Sequence, residues 1–256
     1  MKKRVGVALL AGLLALWVPL AQGRPVSDSL NPHNLSFGAT HGRTKADVGS
    51  EFGSKEICIF CHTPHSSSAQ GPLWNRLDPA NMGSFPLYNS ASLKIKDIPQ
   101  AQYNTTDYPN GASKLCLSCH DGVTGIGTLL DRAITMNNAS MPLGFEIDLT
   151  QTHPVSFVYD NAVLTAIQGA GKPGYTLPSL SIELRDSQSR IQCTTCHDPH
   201  DDRDEYAGDG VPPFWRYISA TAADSYNDVC NTCHPGSELT TWSIGSGDNH
   251  TGTFPR

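Results

Sequence analysis

The sequence predicts a fold that is mostly coil, with a few short α-helices and little β-structure. Its 256 residues include 23 glycines and 18 prolines, and only 38% of the chain is hydrophobic, a composition that favours loops over a large side-chain core. All eight cysteines lie in four copies of one pattern, Cys-x-x-Cys-His. No run of alternating polar and apolar residues is long enough to predict a sheet. Helices are expected to be short and centred on the four motifs.

Cys-x-x-Cys-His is the attachment pattern of a c-type haem. The two thiols bind the porphyrin as thioethers, and the histidine binds the iron from the proximal side. The predicted thioether residues are Cys58, Cys61, Cys116, Cys119, Cys193, Cys196, Cys230 and Cys233, and the proximal ligands are His62, His120, His197 and His234. Four covalently attached haems would supply the apolar core that the side chains lack. The predicted fold class is therefore a multihaem cytochrome c.

Paired cysteines also occur in zinc ribbons and in redox disulfides. Two zinc ribbons would leave the histidine after every second cysteine as a coincidence repeated four times. Redox disulfides favour a thioredoxin-like strand–helix context, which this sequence lacks. Haem attachment is the favoured interpretation.

Residues 1–23 have the features of a secretory signal peptide. Positions 2–4 are basic, residues 5–20 are mostly apolar, and residues 21–23 form a small-residue cleavage pattern. The apolar run is too short to favour a retained membrane span. Residues 24–256 are thus predicted to be one exported tetrahaem domain, without a membrane span after processing.

The charge of the chain bears on its partners. Its 24 acidic residues outnumber the 18 basic ones, and haem propionates would add negative charge. A nucleic-acid partner is excluded because a phosphate backbone needs a basic surface. The predicted partners are redox-protein donors and extracellular or periplasmic acceptors.

An internal repeat divides the domain into halves of about 24–125 and 144–256, with two haems each. Three patterns recur in the same order: His-x-x-Ser-Phe, then Cys-x-x-Cys-His-x-Pro-His, then a proline, an apolar residue, a tryptophan and a nearby arginine. The recurring residues outside the haem motifs are His33 with His153, His65 with His200, Trp74 with Trp215, and Arg76 with Arg216.

The second axial ligand of each iron decides its chemistry. A second histidine makes a low-potential electron carrier, whereas an open position permits substrate binding. The four recurring histidines, His33, His65, His153 and His200, are the predicted distal ligands. His41 and His250 do not recur and are assigned to the surface or to hydrogen bonds, and Met82, Met136 and Met141 are assigned to packing.

The spacing of two distal candidates has a geometric consequence. His65 lies three residues after His62, and His200 lies three residues after His197. Neither can reach the opposite face of the haem that its neighbour holds, so each must bind a different haem. Closely packed haems follow from this arrangement. His33 could bind a haem of its own subunit or of the next subunit.

Two further roles are predicted from the repeat. Trp74 and Trp215 pack against haems or form ordinary core contacts. Arg76 and Arg216 are candidate partners of haem propionates, because a guanidinium binds carboxylates in a bidentate manner.

Candidate N-cap residues and helix-terminating glycines predict where the individual helices begin and end. Ser54 is a candidate N-cap for a turn from Cys58 to His62. The stretches Ala220–His234 and Asn161–Gln168 are helix candidates, the second closed by Gly169. Loops are predicted over Ile98–Ser113, Gly169–Leu180 and the acidic stretch Asp201–Gly210.

The combined motifs resemble the OmcE-type tetrahaem cytochromes. The matching segments include Cys-x-x-Cys-His-Thr-Pro-His, Gly-Pro-Leu-Trp-Asn-Arg, Cys-Leu-Ser-Cys-His-Asp-Gly and His-Pro-Val-Ser-Phe, and they span about His33 to His234. The resemblance implies bis-histidine haems stacked in an extracellular filament, a cytochrome nanowire, in which one axial histidine comes from the adjacent subunit. His33 matches the N-terminal histidine of that family and is the predicted crossing ligand.

The leading functional prediction is a non-catalytic electron conduit at the cell surface. A monomeric periplasmic shuttle is the nearest alternative. A multihaem nitrite or hydroxylamine oxidoreductase is a weaker one, because it requires an open haem and the chain has enough histidines to close every site.

Overall fold

The computed structural model of the chain describes most of the residues between Gly23 and His234. The described residues are 23–41, 45–47, 55–69, 71, 73–137, 147–178, 184–202, 214–217, 225 and 228–234. Most of them lie outside helices and strands, which confirms the prediction of a mostly coil fold. The signal-peptide prediction, the Ser54 cap, His250, Met141 and most of the acidic loop lie outside the described residues.

Three short α-helices are present: α1, Gly111–His120; α2, Asn161–Gly169; and α3, Cys193–Cys196. Single 3₁₀ turns cover Cys58–Phe60, Ile95–Asp97 and Pro99–Ala101. No helix among these is long and apolar enough to cross a membrane, as far as the chain is described. The prediction of few, short helices is confirmed.

Two pairs of two-residue strands make up the sheets. Strand β1, Arg24–Pro25, pairs antiparallel with β4, Asp201–Asp202, in the register Arg24–Asp202. Strand β2, Phe157–Val158, pairs antiparallel with β3, Arg190–Ile191, in the register Phe157–Ile191. The first pair joins the N-terminal segment to the loop that follows the third haem motif.

The predicted helix at Asn161 is present and one residue longer than expected. The Asp160 carboxylate accepts a hydrogen bond from the Val163 N–H at 2.9 Å and so caps its N-terminus. Gly169 is the last helical residue, and the nearby glycine with a left-handed backbone is Gly171, at φ 94°. The helix therefore ends later than the composition indicated.

The loop predicted over Ile98–Ser113 is wrong at its C-terminal end, because α1 already begins at Gly111. Gly111 has a φ of 56°, so a glycine that suggested a loop is instead the residue that turns the chain into the helix. Of the helix predicted over Ala220–His234, Ser225 and residues 228–230 are helical, and much of the rest lies outside the described residues.

Among the described residues, the buried hydrophobic side chains form two small clusters rather than one large core. The first contains Ala46, Phe60, Leu129 and Ile134. The second contains Ile95, Ala101, Phe157, Tyr159, Val163, Ile167 and Ile191. Phe60 belongs to the first Cys-x-x-Cys-His motif, and Cys233 of the fourth packs against the second cluster. Each cluster therefore supports one motif.

Candidate functional site

The four Cys-x-x-Cys-His motifs share one backbone geometry. In three of them the histidine N–H donates to the carbonyl of the first cysteine, at 2.8, 3.0 and 2.9 Å for His62, His197 and His234. The remaining motif, Cys116–His120, is the second in the sequence and forms the end of α1. Because residues three and four positions apart share a face of a helical turn, both cysteines and the histidine lie on one side of each turn.

The motifs follow one another in space in the order of the sequence. The thiols of Cys61 and Cys119 interact, as do those of Cys196 and Cys230. Between them, the thiols of Cys116 and Cys193 are in hydrogen-bond contact. All eight cysteines are free of disulfide bonds. The four thiol pairs thus form one continuous series.

Burial decides the protonation of these thiols. Burial, with the neighbouring Cys119, raises the pKa of Cys61 to about 12, and burial, with Cys230 next, raises the pKa of Cys196 to about 12. The hydrogen bond between the two sulfurs raises the pKa of Cys116 and lowers that of Cys193. Cys61 and Cys196 are therefore neutral thiols at neutral pH.

Three of the proximal histidines each lie beside a predicted distal histidine. The ring centres are 6.2 Å apart for His62 and His200, 6.1 Å for His120 and His33, and 6.2 Å for His234 and His153. The angles between the ring planes are 20°, 50° and 89° in that order. The two predicted ligands outside these pairs are His65 and His197.

This separation suits a metal ion held between two imidazoles. Such an ion lies about 2 Å from each ring nitrogen, and the nitrogen lies about 1 Å from its ring centre, so the two centres are about 6 Å apart. Two thiols accompany each proximal histidine one helical turn away. The residues present therefore fit a covalently attached haem with two histidine ligands.

The protonation of the histidines also suits iron binding. Burial, and then the neighbouring His200, lower the pKa of His62 below its usual 6.5, which favours the neutral ring that binds metals. Nδ1 of His33 lies 2.9 Å from the Pro199 carbonyl oxygen, and Nδ1 of His153 lies 2.7 Å from that of Pro154. A carbonyl there places the ring proton on Nδ1 and the lone pair on Nε2, as in most metal-binding histidines.

The segment before the first motif folds onto the loop after the third. Besides the β1–β4 pair, Val26 N–H donates to the His200 carbonyl at 2.7 Å. The ring of His33 stacks on Phe214, with centres 4.2 Å apart. His33 therefore lies beside His120 of its own chain, and its binding to a haem of the next subunit stays a prediction.

The two tryptophans stand in the same relation to their motifs. Trp74 forms a β-bridge with His62, and Trp215 forms one with His197. Each indole packs edge-on against that histidine, at 5.5 Å and 86° for Trp74 and at 5.8 Å and 88° for Trp215. Both tryptophans thus support the proximal histidines.

The residue before each tryptophan has the same unusual backbone. Leu73 has a φ of 58° and Phe214 a φ of 62°. The carbonyl of Leu73 accepts from Thr63 N–H at 2.8 Å, and that of Phe214 accepts from Asp198 N–H at 2.8 Å. The loops 63–74 and 198–215 therefore share their local structure where both are described.

The two recurring arginines differ. Arg76 is buried, and its guanidinium donates to the carbonyls of Ser118, Gly125 and Ile126 at 2.7–3.2 Å. Arg216 is exposed and donates to the Thr194 carbonyl at 2.8 Å. The contacts of Arg76 favour a structural role, so pairing with a propionate stays a prediction mainly for Arg216.

The residues assigned to other roles lie as follows. Nε2 of His41 is 2.7 Å from the Asn34 carbonyl oxygen. Met136 packs against the first hydrophobic cluster, and Met82 is half-buried.

No motif predicts the buried polar cluster that lies between α1 and α3. Its members include Ser113, Ser156 and Gln192, whose hydrogen bonds are described below. Serine and glutamine have no motif of their own here, and only the tertiary fold brings them together.

Within the described parts of the chain, no group of three or more histidine, cysteine, aspartate or glutamate side chains is placed to hold a metal ion. Haem iron takes only two side-chain ligands, so this absence does not concern the histidine pairs. No family model matches the sequence, and no curated protein matches it.

Proposed function

We propose that the chain is a tetrahaem c-type cytochrome that transfers electrons through bis-histidine haems. The observation that carries the proposal is the set of three histidine pairs, with ring centres 6.1–6.2 Å apart, each beside a Cys-x-x-Cys turn. The matching local structure of the loops 63–74 and 198–215, where both are described, supports an architecture of two repeat-related halves.

The pairs suggest which residues hold which iron. His62 with His200, His120 with His33, and His234 with His153 account for three irons. His65 and His197 remain for the fourth. The haem iron supplies one-electron redox chemistry, and the paired imidazoles leave no open position for a substrate at three irons, with His65 as the candidate that closes the fourth. The arrangement therefore favours an electron carrier over a nitrite or hydroxylamine oxidoreductase.

Replacing one distal histidine tests this assignment. In the purified wild-type protein we expect four covalent haems per chain and a wholly low-spin spectrum. His200→Ala should turn one haem high-spin, because the iron on His62 loses its second ligand. His41→Ala is the matched control and should leave the spectrum unchanged. A protein without covalent haem, or a wild type with a high-spin haem, contradicts the proposal.

The surface of the first half supports assembly with a second copy. In the second half, Asp201 and Asp202 pair with the N-terminal segment, His33 stacks on Phe214, and Phe214 is 9% exposed. In the first half the equivalent Leu73 is 49% exposed, and His65 beside it is exposed. The N-terminal segment that covers Phe214 leads to His33. Because His153 is the repeat counterpart of His33, the stretch before His153 is the counterpart of that segment in the other half.

We therefore propose that this stretch of one copy covers the 63–74 loop of the next. The resulting contact joins two different surfaces, and such a contact extends into a filament when the rotation between successive copies does not close a ring. In this arrangement His65, rather than His33, is the candidate for a ligand shared between subunits.

The motif composition and the N-terminal pattern support export, with the filament at the cell surface and redox proteins as donors and acceptors. A soluble periplasmic shuttle is the alternative. Electron microscopy of the purified holoprotein distinguishes them: we expect filaments, and monodisperse particles under all conditions would favour the shuttle.

A further inference from the structure

A buried polar joint connects the second and third haem motifs. The Ser113 hydroxyl donates to Gln192 Oε1 at 2.6 Å and accepts from the Cys193 N–H at 2.9 Å. The Ser113 N–H and the Ser156 hydroxyl donate to the same Oε1, each at 3.2 Å. Ser113, Ser156 and Gln192 are at most 1% exposed. These three residues are called the joint below.

The other end of the Gln192 amide is also held. Its Nε2 donates to the Asp186 carboxylate at 3.0 Å, and Asp186 accepts from Arg190 Nε at 2.7 Å. Gly111 completes the fit, because a Cβ there would lie 2.5 Å from Gln192 Nε2. The amide is therefore fixed in orientation by donors on one side and acceptors on the other.

The position of the joint relative to the motifs is what gives it a role. Ser113 lies one helical turn before Cys116, and Gln192 directly precedes Cys193. The joint thus ties together the two turns whose thiols, Cys116 and Cys193, are in hydrogen-bond contact. It also links the first half of the chain to the second.

We propose that Ser113 and Gln192 are positioning residues that set the separation and orientation of the two central haems. The inference rests on the proposed function, since it concerns groups attached at Cys116–Cys119 and Cys193–Cys196. Each group would be held by two thioethers and a histidine of one short turn. Its position therefore follows that of the turn, and the joint holds the two turns together. Electronic coupling between haems falls steeply with their separation, so the joint controls electron exchange between the halves.

Circular dichroism in the Soret band tests the inference, because neighbouring haems give a couplet that depends on their distance and relative orientation. In Ser113→Ala holoprotein we expect a smaller couplet than in wild type, with four haems per chain and a low-spin spectrum retained. Ser118→Ala is the matched control. Ser118 is a buried serine of the same helix, but its hydroxyl donates within the helix, to the Leu115 carbonyl at 2.7 Å.

A second variant covers the case in which Ser113→Ala does not fold. Ser156→Ala removes one of the three hydrogen bonds to Gln192 Oε1, together with the bonds of the Ser156 hydroxyl to the Asn110 backbone, and we expect a loss of couplet in the same direction. An unchanged couplet in both variants, or an equal loss in Ser118→Ala, overturns the inference. Absence of covalent haem from the wild-type protein overturns the proposed function instead, so the two failures are distinguishable.

Discussion

A buried guanidinium links the loop after the first motif to the end of the second. Arg76 is 1% exposed, and its four hydrogen bonds go to three backbone carbonyls. The same charge lies close enough to Cys61 and Cys119 to oppose the rise in their pKa values. One side chain thus positions two adjacent thiol pairs.

Arg76→Ala should lower the free energy of unfolding by about 3 kcal/mol, because it removes the side-chain donors of the buried Ser118 and Ile126 carbonyls, whereas the Gly125 carbonyl keeps the Thr128 N–H. Arg216→Ala, the repeat-related control, should cost about 0.5 kcal/mol, since its side chain is exposed. Denaturant unfolding of the two holoproteins measures both. Equal costs would contradict the structural role of Arg76.

Asp186 makes the stability of the joint dependent on pH. Burial alone would raise the pKa of this carboxyl group, but hydrogen bonds from the Arg190 N–H, the Gln192 amide and the Arg190 guanidinium lower it overall, below 3.8. A lowered pKa in the folded state stabilises the protein above the unfolded pKa, and this contribution is lost as the pH falls through the folded pKa.

Asp186→Asn should therefore destabilise the protein at about pH 6 by about 1–3 kcal/mol, through the loss of charged hydrogen bonds. The difference from wild type should narrow as the pH falls below 3.8 and through the lowered folded-state pKa, where the wild-type carboxylate becomes protonated. Urea unfolding over a series of pH values measures it. A difference independent of pH would show that the charge of Asp186 does not contribute.

At the scale of the element, α2 is the helix that depends most clearly on a cap. Asp160→Ala removes the acceptor for the Val163 N–H and should cost about 1 kcal/mol of stability. Asp160→Asn keeps an acceptor oxygen and should cost only a few tenths of a kcal/mol. Thermal unfolding compares the two. Similar losses in both variants would mean that the carboxylate charge, not the cap, is what stabilises α2.

The elements show what local sequence can and cannot predict. α2 is predictable because its apolar positions repeat with helical spacing and a glycine, Gly169, marks its end. The start of α1 is not, because Gly111 signals a loop until its positive φ and its contact with Gln192 are known. The motif turns follow from the spacing of cysteine and histidine. The pairing of His62 with His200 depends on residues far apart in the chain, which only the fold brings together.

The whole molecule has little conventional core. Two small hydrophobic clusters each contact a motif, and Arg76 and the joint connect motifs to one another. Such a chain is held together around its motifs, and in the proposed holoprotein four haems complete the packing. The order of the thiol pairs in space then becomes the order of the electron path.

The unequal exposure of two equivalent residues leads to a prediction about assembly. Leu73 is 49% exposed, whereas Phe214, its counterpart, is covered by the N-terminal segment of the same chain. If a second copy covers Leu73, a charge placed there would be buried without a partner and would oppose the contact. Aspartate is among the residues that tolerate the left-handed backbone of this position.

Leu73→Asp should therefore abolish or shorten the filaments and leave a soluble subunit with four haems. Leu77→Asp is the matched control, because Leu77 is also an exposed leucine, at 66%, but lies beyond the 63–74 loop. Electron microscopy and light scattering of the two holoproteins at equal concentration measure the effect. Filaments of wild-type length in Leu73→Asp would place the contact elsewhere on the molecule. Loss of filaments in Leu77→Asp as well would show that the effect is not specific to the 63–74 loop.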